Sequence, residues 1–363
     1  MADERERPRG RLQKADQQAI LPLPYPSSHT GKIVLTMKFC ILGAGAIGGM
    51  VGARLAMAGN EVALVARGEH LAAIRANGLT YRAPDGGETR LRLPAADRPE
   101  DFGRQDAVII ALKAHSIAPM LPRLQPLLAA GTPVVTAING LPWWYFYGEG
   151  SAHDGSAIQC LDPHETMRRA VDPSHLIGCV VHAAAEVPDA GVINHTGGRD
   201  FIFGELDGDT TGRIRAVADA FTGAGLSARI TSRIRDEVWT KLIGNLSVNP
   251  ISALTGARIG EVLDDPELCT LARAMMAEGM RVAEAYGARI SVTIDERIEL
   301  GRKVGGAKPS MLQDMEKGRP LEIDAIVSSV VELGRRVGVA TPSIENVAAL
   351  IRARERHAAA QAG

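Results

Sequence analysis

MKFCILGAGAIGGMVGARLAMAGNEVALVARG, residues 37–68, decides the fold. An apolar run from Phe39 to Leu42 leads directly into Gly43, Gly45 and Gly48. A helical segment follows with Ile47, Val51 and Leu55 on one face, and Gly59-Asn60 ends it. A second strand-like run, Glu61 to Ala66, comes next. Strand, glycine turn, helix and strand within about 30 residues is the context in which GxGxxG cradles a dinucleotide. The first glycine permits the tight turn and the second lets backbone approach a pyrophosphate. The third lets helix and strand pack closely, while the helix amino terminus offers N–H donors to the phosphate. Gly43, Ala44, Gly45, Ala46, Ile47 and Gly48 are therefore read as cofactor-binding.

The residue that ends the second strand selects the cofactor. An NAD site usually places Asp or Glu there for the ribose 2′-hydroxyl. This chain has Arg67, whose guanidinium suits a 2′-phosphate. Glu69, two residues on, is the competing signal. The expectation is NADP (NADPH).

Working outward, DAVIIALK (106–113) and TPVVTAING (132–140) read as buried parallel strands ending in Lys113 and in Asn139-Gly140. Ligands of open α/β sheets lie beyond the carboxyl ends of strands, so both side chains point toward a cofactor. LPWWYFYGEG (141–150) holds two of the three tryptophans and two of the five tyrosines in a chain that is 4% aromatic. It packs a loop against the domain or walls a pocket. Residues 177–205 read as strands joined by turns, and the lone His195 among them is read as structural.

From residue 236 to 357 the apolar spacing is helical, broken at Thr255-Gly256, Tyr286-Gly287, Gly305-Gly306, Gly318 and Gly338. Within it, KLIGNLSVN (241–249) places Lys241, Asn245 and Asn249 on one stripe, since residues four apart are neighbours on a helix. Asparagine is a poor interior helix residue. The stripe is either a solvated face or the wall of a site. Ser310, after Pro309 and ahead of MLQDMEKG, has the position of an N-cap. Glu322 opens the next helix.

The bulk numbers exclude several classes. At 363 residues with 45% hydrophobic and 23% charged side chains, the chain is that of a globular protein of about two domains. Its 41 basic and 42 acidic side chains give a net charge of −1, so no footprint for nucleic acid exists. No apolar run approaches the roughly 20 residues of a spanning helix, so no membrane partner is expected. Cys40, Cys160, Cys179 and Cys269 lie far apart, without metal-ligand spacing, and read as reduced thiols of a cytoplasmic protein. Residues 1–36 are polar and proline-rich, and read as a disordered leader.

GAGAIG, LK at Lys113, NG at Asn139, KLIGNLSVNPISALTG and KPSMLQD…GRPLEID together resemble the ketopantoate reductase family, within the superfamily of 6-phosphogluconate dehydrogenase. The likeness runs from Met37 to about Arg352. It implies a catalytic lysine at Lys241 and a substrate-side carboxylate at Glu322. It also implies Asn245, Asn249 and Ser310 around the substrate, with Lys113 and Asn139 near the nicotinamide. WWYFY departs from the family's glycine-rich, acidic continuation.

Chemistry then accounts for the stripe. Hydride addition to a ketone builds negative charge on oxygen, which an ammonium can stabilise and protonate. Asparagine amides hold a hydroxyl or carboxylate without adding charge. The expected architecture is α/β: a Rossmann-type dinucleotide-binding domain at 37–232, followed by an all-α helical domain at 233–363. The expected activity is NADPH-dependent reduction of 2-dehydropantoate to (R)-pantoate. Two other readings stay open: a reductase of another branched or aromatic 2-oxo acid, and an NADP-sensing binding protein without turnover. Oligomeric state is not set by the sequence, a homodimer being allowed for.

Overall fold

The computed structural model describes residues 36–362, so the sequence's leader lies outside the described residues apart from Thr36. Ten strands form one sheet: β1 (Lys38–Leu42), β2 (Glu61–Val65), β3 (Leu79–Arg82), β4 (Glu88–Leu91), β5 (Ala95–Ala96), β6 (Ala107–Ile110), β7 (Val134–Ala137), β8 (Leu176–Glu186), β9 (Val192–Glu205) and β10 (Ser227–Ile230). Their order is β4-β3-β9-β8-β7-β6-β1-β2-β5, with β10 beside β9. Pairing is parallel except at β3–β4 and β8–β9. The strand order reverses at β1: β2 lies on one side and β6 on the other. That switch point opens the crevice where ligands bind in such sheets.

Four helices belong to the amino-terminal half: α1 (Ala46–Met57), α2 (Gly68–Asn77), α3 (Thr166–Ala170) and α4 (Gly212–Gly223). Among the described residues no strand follows β10. The rest is helical: α5 (Ile234–Thr255), α6 (Ile259–Asp264), α7 (Pro266–Ala285), α8 (Ile294–Val304), α9 (Ser310–Glu316), a π-helical turn (Asp324–Ser328), α10 (Ser329–Arg336) and α11 (Pro342–Ala362). Every expected helix break coincides with a gap between these elements.

Strand alternation divides the core. Phe39 and Ile41 of β1 pack with Met50, Val51 and Phe221 beneath α1 and α4. Cys40 and Leu42 face the other side, in an apolar cluster continuous with α5, α7 and the π turn. The aromatic loop fills the join. Trp143, Trp144, Tyr145, Phe146 and Tyr147 are each at most 2% exposed, so packing is what that loop does. Trp144 Nε1 donates to Thr136 Oγ1 (2.8 Å), and Trp239 Nε1 of α5 donates to the Tyr145 hydroxyl (2.7 Å). The Arg235 guanidinium donates to the carbonyls of Tyr145, Leu206 and Tyr147. One half-buried cation of α5 thus satisfies three loop carbonyls.

The three turn glycines differ in kind. Gly43 has φ +95°, a left-handed backbone. A Cβ on Gly48 would lie 2.1 Å from the Gly43 carbonyl oxygen, whereas a Cβ on Gly45 would meet nothing within 4 Å. Gly48→Ala should therefore cost about 1–3 kcal/mol, through a clash that backbone cannot relieve. Gly45→Ala should leave Tm unchanged. Thermal melts of both variants check this; equal losses would contradict it.

Candidate functional site

Two strand ends and five helical segments supply the site. Lys113 stands three residues past the end of β6, and Asn139 two past β7, both beyond shorter strands than the sequence suggests. Lys241 Nζ donates to Asn139 Oδ1 at 2.8 Å. Gly140 makes this approach feasible: its φ is +78°, and a Cβ there would stand 2.3 Å from the Ala325 carbonyl oxygen. That carbonyl accepts the Leu141 N–H at 2.7 Å. The strand end is thereby pinned on the π turn, a helix irregularity that often marks functional sites.

Lys113 has a different set of partners from those expected. Its Nζ lies 2.6 Å from Asp314 Oδ2 and 3.2 Å from Glu322 Oε2. The Ala114 N–H donates to Glu322 Oε1 at 3.1 Å. The Asp314 and Glu322 side chains are 8% and 4% exposed, so the lysine is what balances their charge. Glu322 is thus held by Lys113, and the four residues sort into two pairs: Lys241 with Asn139, Glu322 with Lys113. Asp314 belongs to this cluster although the sequence reading assigned it no role; its place in SMLQD beside Ser310 was the available signal. Ser310 itself is the first residue of α9, with Pro309 in the cap position and no side-chain cap bond. The N-cap reading of Ser310 is corrected: a serine already inside the helix cannot cap it.

The two lysines titrate in opposite directions. Desolvation pulls Lys113 down, but Glu322 and Asp314 together outweigh it and raise its pKa. For Lys241 burial dominates, Arg297 adds to the effect, and Cys179 and Glu322 oppose it. Its pKa falls to about 8. Asn245 is half-buried and Asn249 is 6% exposed. Thr136, Ile138, Gly140, Trp144, Cys179, Lys241 and Asn245 line a common cleft. The polar stripe of α5 is therefore not a solvated face.

At the glycine turn, α1 begins at Ala46 behind Gly45, which carries no side-chain cap. The open space over Gly45 and the helix amino terminus suit a pyrophosphate. His70 braces this turn: its Nε2 bonds the Ala44 carbonyl at 2.7 Å while its Nδ1 accepts the Gly191 N–H at 3.0 Å. Those roles fix the neutral Nε2–H tautomer, and burial lowers the ring's pKa accordingly. Nothing in the sequence flagged His70. Arg67 is exposed at the end of β2, and Glu69 lies in the first turn of α2. Among the described residues no cluster of His, Cys, Asp and Glu could hold a metal ion, and no helix is long and apolar enough to cross a membrane.

Comparison with known proteins covers both halves. Residues 39–208 match the family model "Ketopantoate reductase PanE/ApbA", and residues 233–355 match "Ketopantoate reductase PanE/ApbA C terminal". A 2-dehydropantoate 2-reductase of Mesorhizobium japonicum is 47% identical over 317 residues, covering 87% of this chain and 97% of that protein. A Ralstonia solanacearum crystal structure assigned to the ketopantoate reductases superposes with TM-score 0.84 at 39% identity, over 89% of this chain and 99% of the other. The 2-dehydropantoate 2-reductase structure of Geobacter metallireducens gives 0.76 at 29% identity, over 87% and 99%.

Removing the Lys113 ammonium leaves two buried carboxylates without a cation. Lys113→Met should lower stability by about 1–3 kcal/mol, the cost of unsatisfied buried polar groups, and Lys113→Arg by less. Urea midpoints at neutral pH measure this. An unchanged midpoint in Lys113→Met would mean that water, not Lys113, satisfies Asp314 and Glu322.

Proposed function

The chain belongs to the ketopantoate reductase family and is an oxidoreductase acting on CH–OH groups; on that premise we propose that it reduces 2-dehydropantoate to (R)-pantoate with NADPH, a step of pantothenate synthesis in the cytoplasm. The observation that carries this reading is Lys241. It is a half-buried ammonium with a pKa lowered to about 8, bonded to a strand-end amide and lining a cleft. We divide the chain into a dinucleotide domain at 37–232 and a helical substrate domain at 233–363.

NADPH, when bound, supplies the hydride. Residues 43–48 would hold its pyrophosphate, Arg67 its 2′-phosphate, and Lys113 and Asn139 border its reactive end. As the carbonyl carbon of the 2-oxo acid is reduced, its oxygen gains negative charge and takes a proton from Lys241 Nζ. Asn139 accepts one N–H of that ammonium and so fixes its direction. Asn245, Asn249 and Ser310 orient the hydroxyl and carboxylate of the substrate. Glu322, held by Lys113, is still close enough to favour the protonated form of Lys241.

A second reading keeps the scaffold and changes the substrate to another branched or aromatic 2-oxo acid. The loop at 143–147 motivates it, because Trp144 lines the cleft beside Lys241. A panel of 2-oxo acids ranked by kcat/KM separates the two. NADPH oxidation with any of them eliminates an NADP-sensing protein without turnover.

Reduction needs the ammonium, so its kcat/KM should be level below the Lys241 pKa of about 8 and fall as pH rises through it. The reverse oxidation should rise over the same range. Lys241→Ala should lower kcat by roughly 10²–10⁴ and remove that limb, with NADPH affinity unchanged. Full turnover in Lys241→Ala would overturn the mechanism. Arg67→Ala should weaken NADPH about ten- to a hundredfold and NADH hardly at all; equal losses would show that Arg67 does not discriminate.

A further inference from the structure

Gly244 occupies the middle of α5, one turn beyond Lys241. Glycine in a helix interior costs about 1 kcal/mol relative to alanine, so its presence needs a reason in space. Arg297 of α8 supplies it. A Cβ on Gly244 would stand 2.0 Å from Arg297 Nη2, 2.3 Å from Nε and 2.5 Å from Cζ. Three atoms of the guanidinium lie over that one α-carbon, so the helix is notched and the cation sits in the notch.

Arg297 is poorly occupied there. Its one hydrogen bond, from Nη2 to the Lys241 carbonyl, is 3.5 Å long, and it makes no ion pair among the described residues. Arg302, on the same helix, binds Asp264, Glu299 and the Leu263 carbonyl, and Arg235 binds three carbonyls. A half-buried guanidinium with most of its five N–H donors unpaired among the described residues is an arrangement for an oxygen-rich anion. Its place beside Lys241 is set by the Gly244 notch and by the contact with the Lys241 carbonyl. Arg297 and Lys241 both depress the pKa of His182, after desolvation, and Arg297 depresses that of Lys241. Two cations therefore lie close together, and the carboxylate of Glu322 is already engaged by Lys113 and the Ala114 N–H. Burying like charges together is unfavourable unless an anion joins them.

We propose that Arg297, seated in the Gly244 notch, binds the carboxylate of the substrate and restricts the enzyme to anionic 2-oxo acids over neutral ketones. The inference rests on the reading of Lys241 as proton donor to the ketone oxygen. In a 2-oxo acid the carboxylate is bonded to the ketone carbon, so a cation one helical turn from the proton donor meets it. The planar fork can take both carboxylate oxygens at once. Asn245, Asn249 and Ser310 are uncharged and add no charge that favours an acid over its amide. Gly244 is a positioning residue: a methyl group there takes the seat of the guanidinium.

The test is binding of pantoate and of its neutral amide to the NADP⁺-loaded enzyme by calorimetry. Wild type should prefer the acid. Arg297→Met should weaken the acid about ten- to a hundredfold and leave the amide and NADPH unchanged. Arg297→Lys should recover part of the preference, because it restores charge without the fork. Gly244→Ala should match Arg297→Met, and the double variant should be no worse than either. Acid affinity in Arg297→Met within threefold of wild type, with NADPH binding intact, would overturn the proposal. If wild type fails to reduce 2-dehydropantoate, the same comparison with mandelate and mandelamide separates the two claims. An Arg297-dependent preference there upholds carboxylate binding while the substrate assignment falls; its absence overturns carboxylate binding as well.

Discussion

The hydrogen bond from the Lys241 ammonium to the Asn139 amide is the point on which the site depends. It joins the carboxyl end of a strand to the first turns of a helix 102 residues later in the chain. For the two atoms to meet, α5 must pass the carboxyl end of β7 at one height. The buried aromatic loop fixes that height, through Trp144 on Thr136, Trp239 on Tyr145 and the triple carbonyl contact of Arg235. The strand end must also turn sharply beneath the π-helical turn, which only a residue without a Cβ can do at position 140. Packing and backbone geometry here serve the placement of one amine.

Electrostatics then gives two lysines different duties. Lys113 sits between two buried carboxylates and is raised; it remains a fixed charge that holds α9 and the start of the π turn to the strand end. Lys241 is lowered to about 8 by burial, with a neutral amide as its hydrogen-bond partner, and an amine of that pKa can both give and regain a proton near neutral pH. The same side chain is raised or lowered according to whether carboxylate partners outweigh its burial.

How much of this was legible in the sequence follows from the range of each interaction. The glycine turn was, because strand, turn and helix are contiguous and Gly43 and Gly48 answer local demands of backbone and packing. The stripe Lys241-Asn245-Asn249 was, because helical periodicity alone places it on one face. The pairing of Lys113 with Glu322 was not: the two are 209 positions apart, and no local pattern couples them. Nor was the seat of Arg297 over Gly244, since a helix-interior glycine reports a close neighbour without naming it. Ser310 misled as an N-cap because Pro309 takes that position and the serine begins the helix. The aromatic loop was legible as a packing element; which helix it receives came only with the three-dimensional arrangement.

The claim at the centre is that Asn139 works by aiming Lys241. A double-mutant cycle on kcat for reduction, with Asn139→Ala, Lys241→Ala and the pair, measures it directly. The account predicts that each single variant is slow and that the double is no slower than Lys241→Ala alone, because an amide with no ammonium to orient has nothing left to contribute. Losses that multiply in the double variant would show the two residues acting independently and would contradict it.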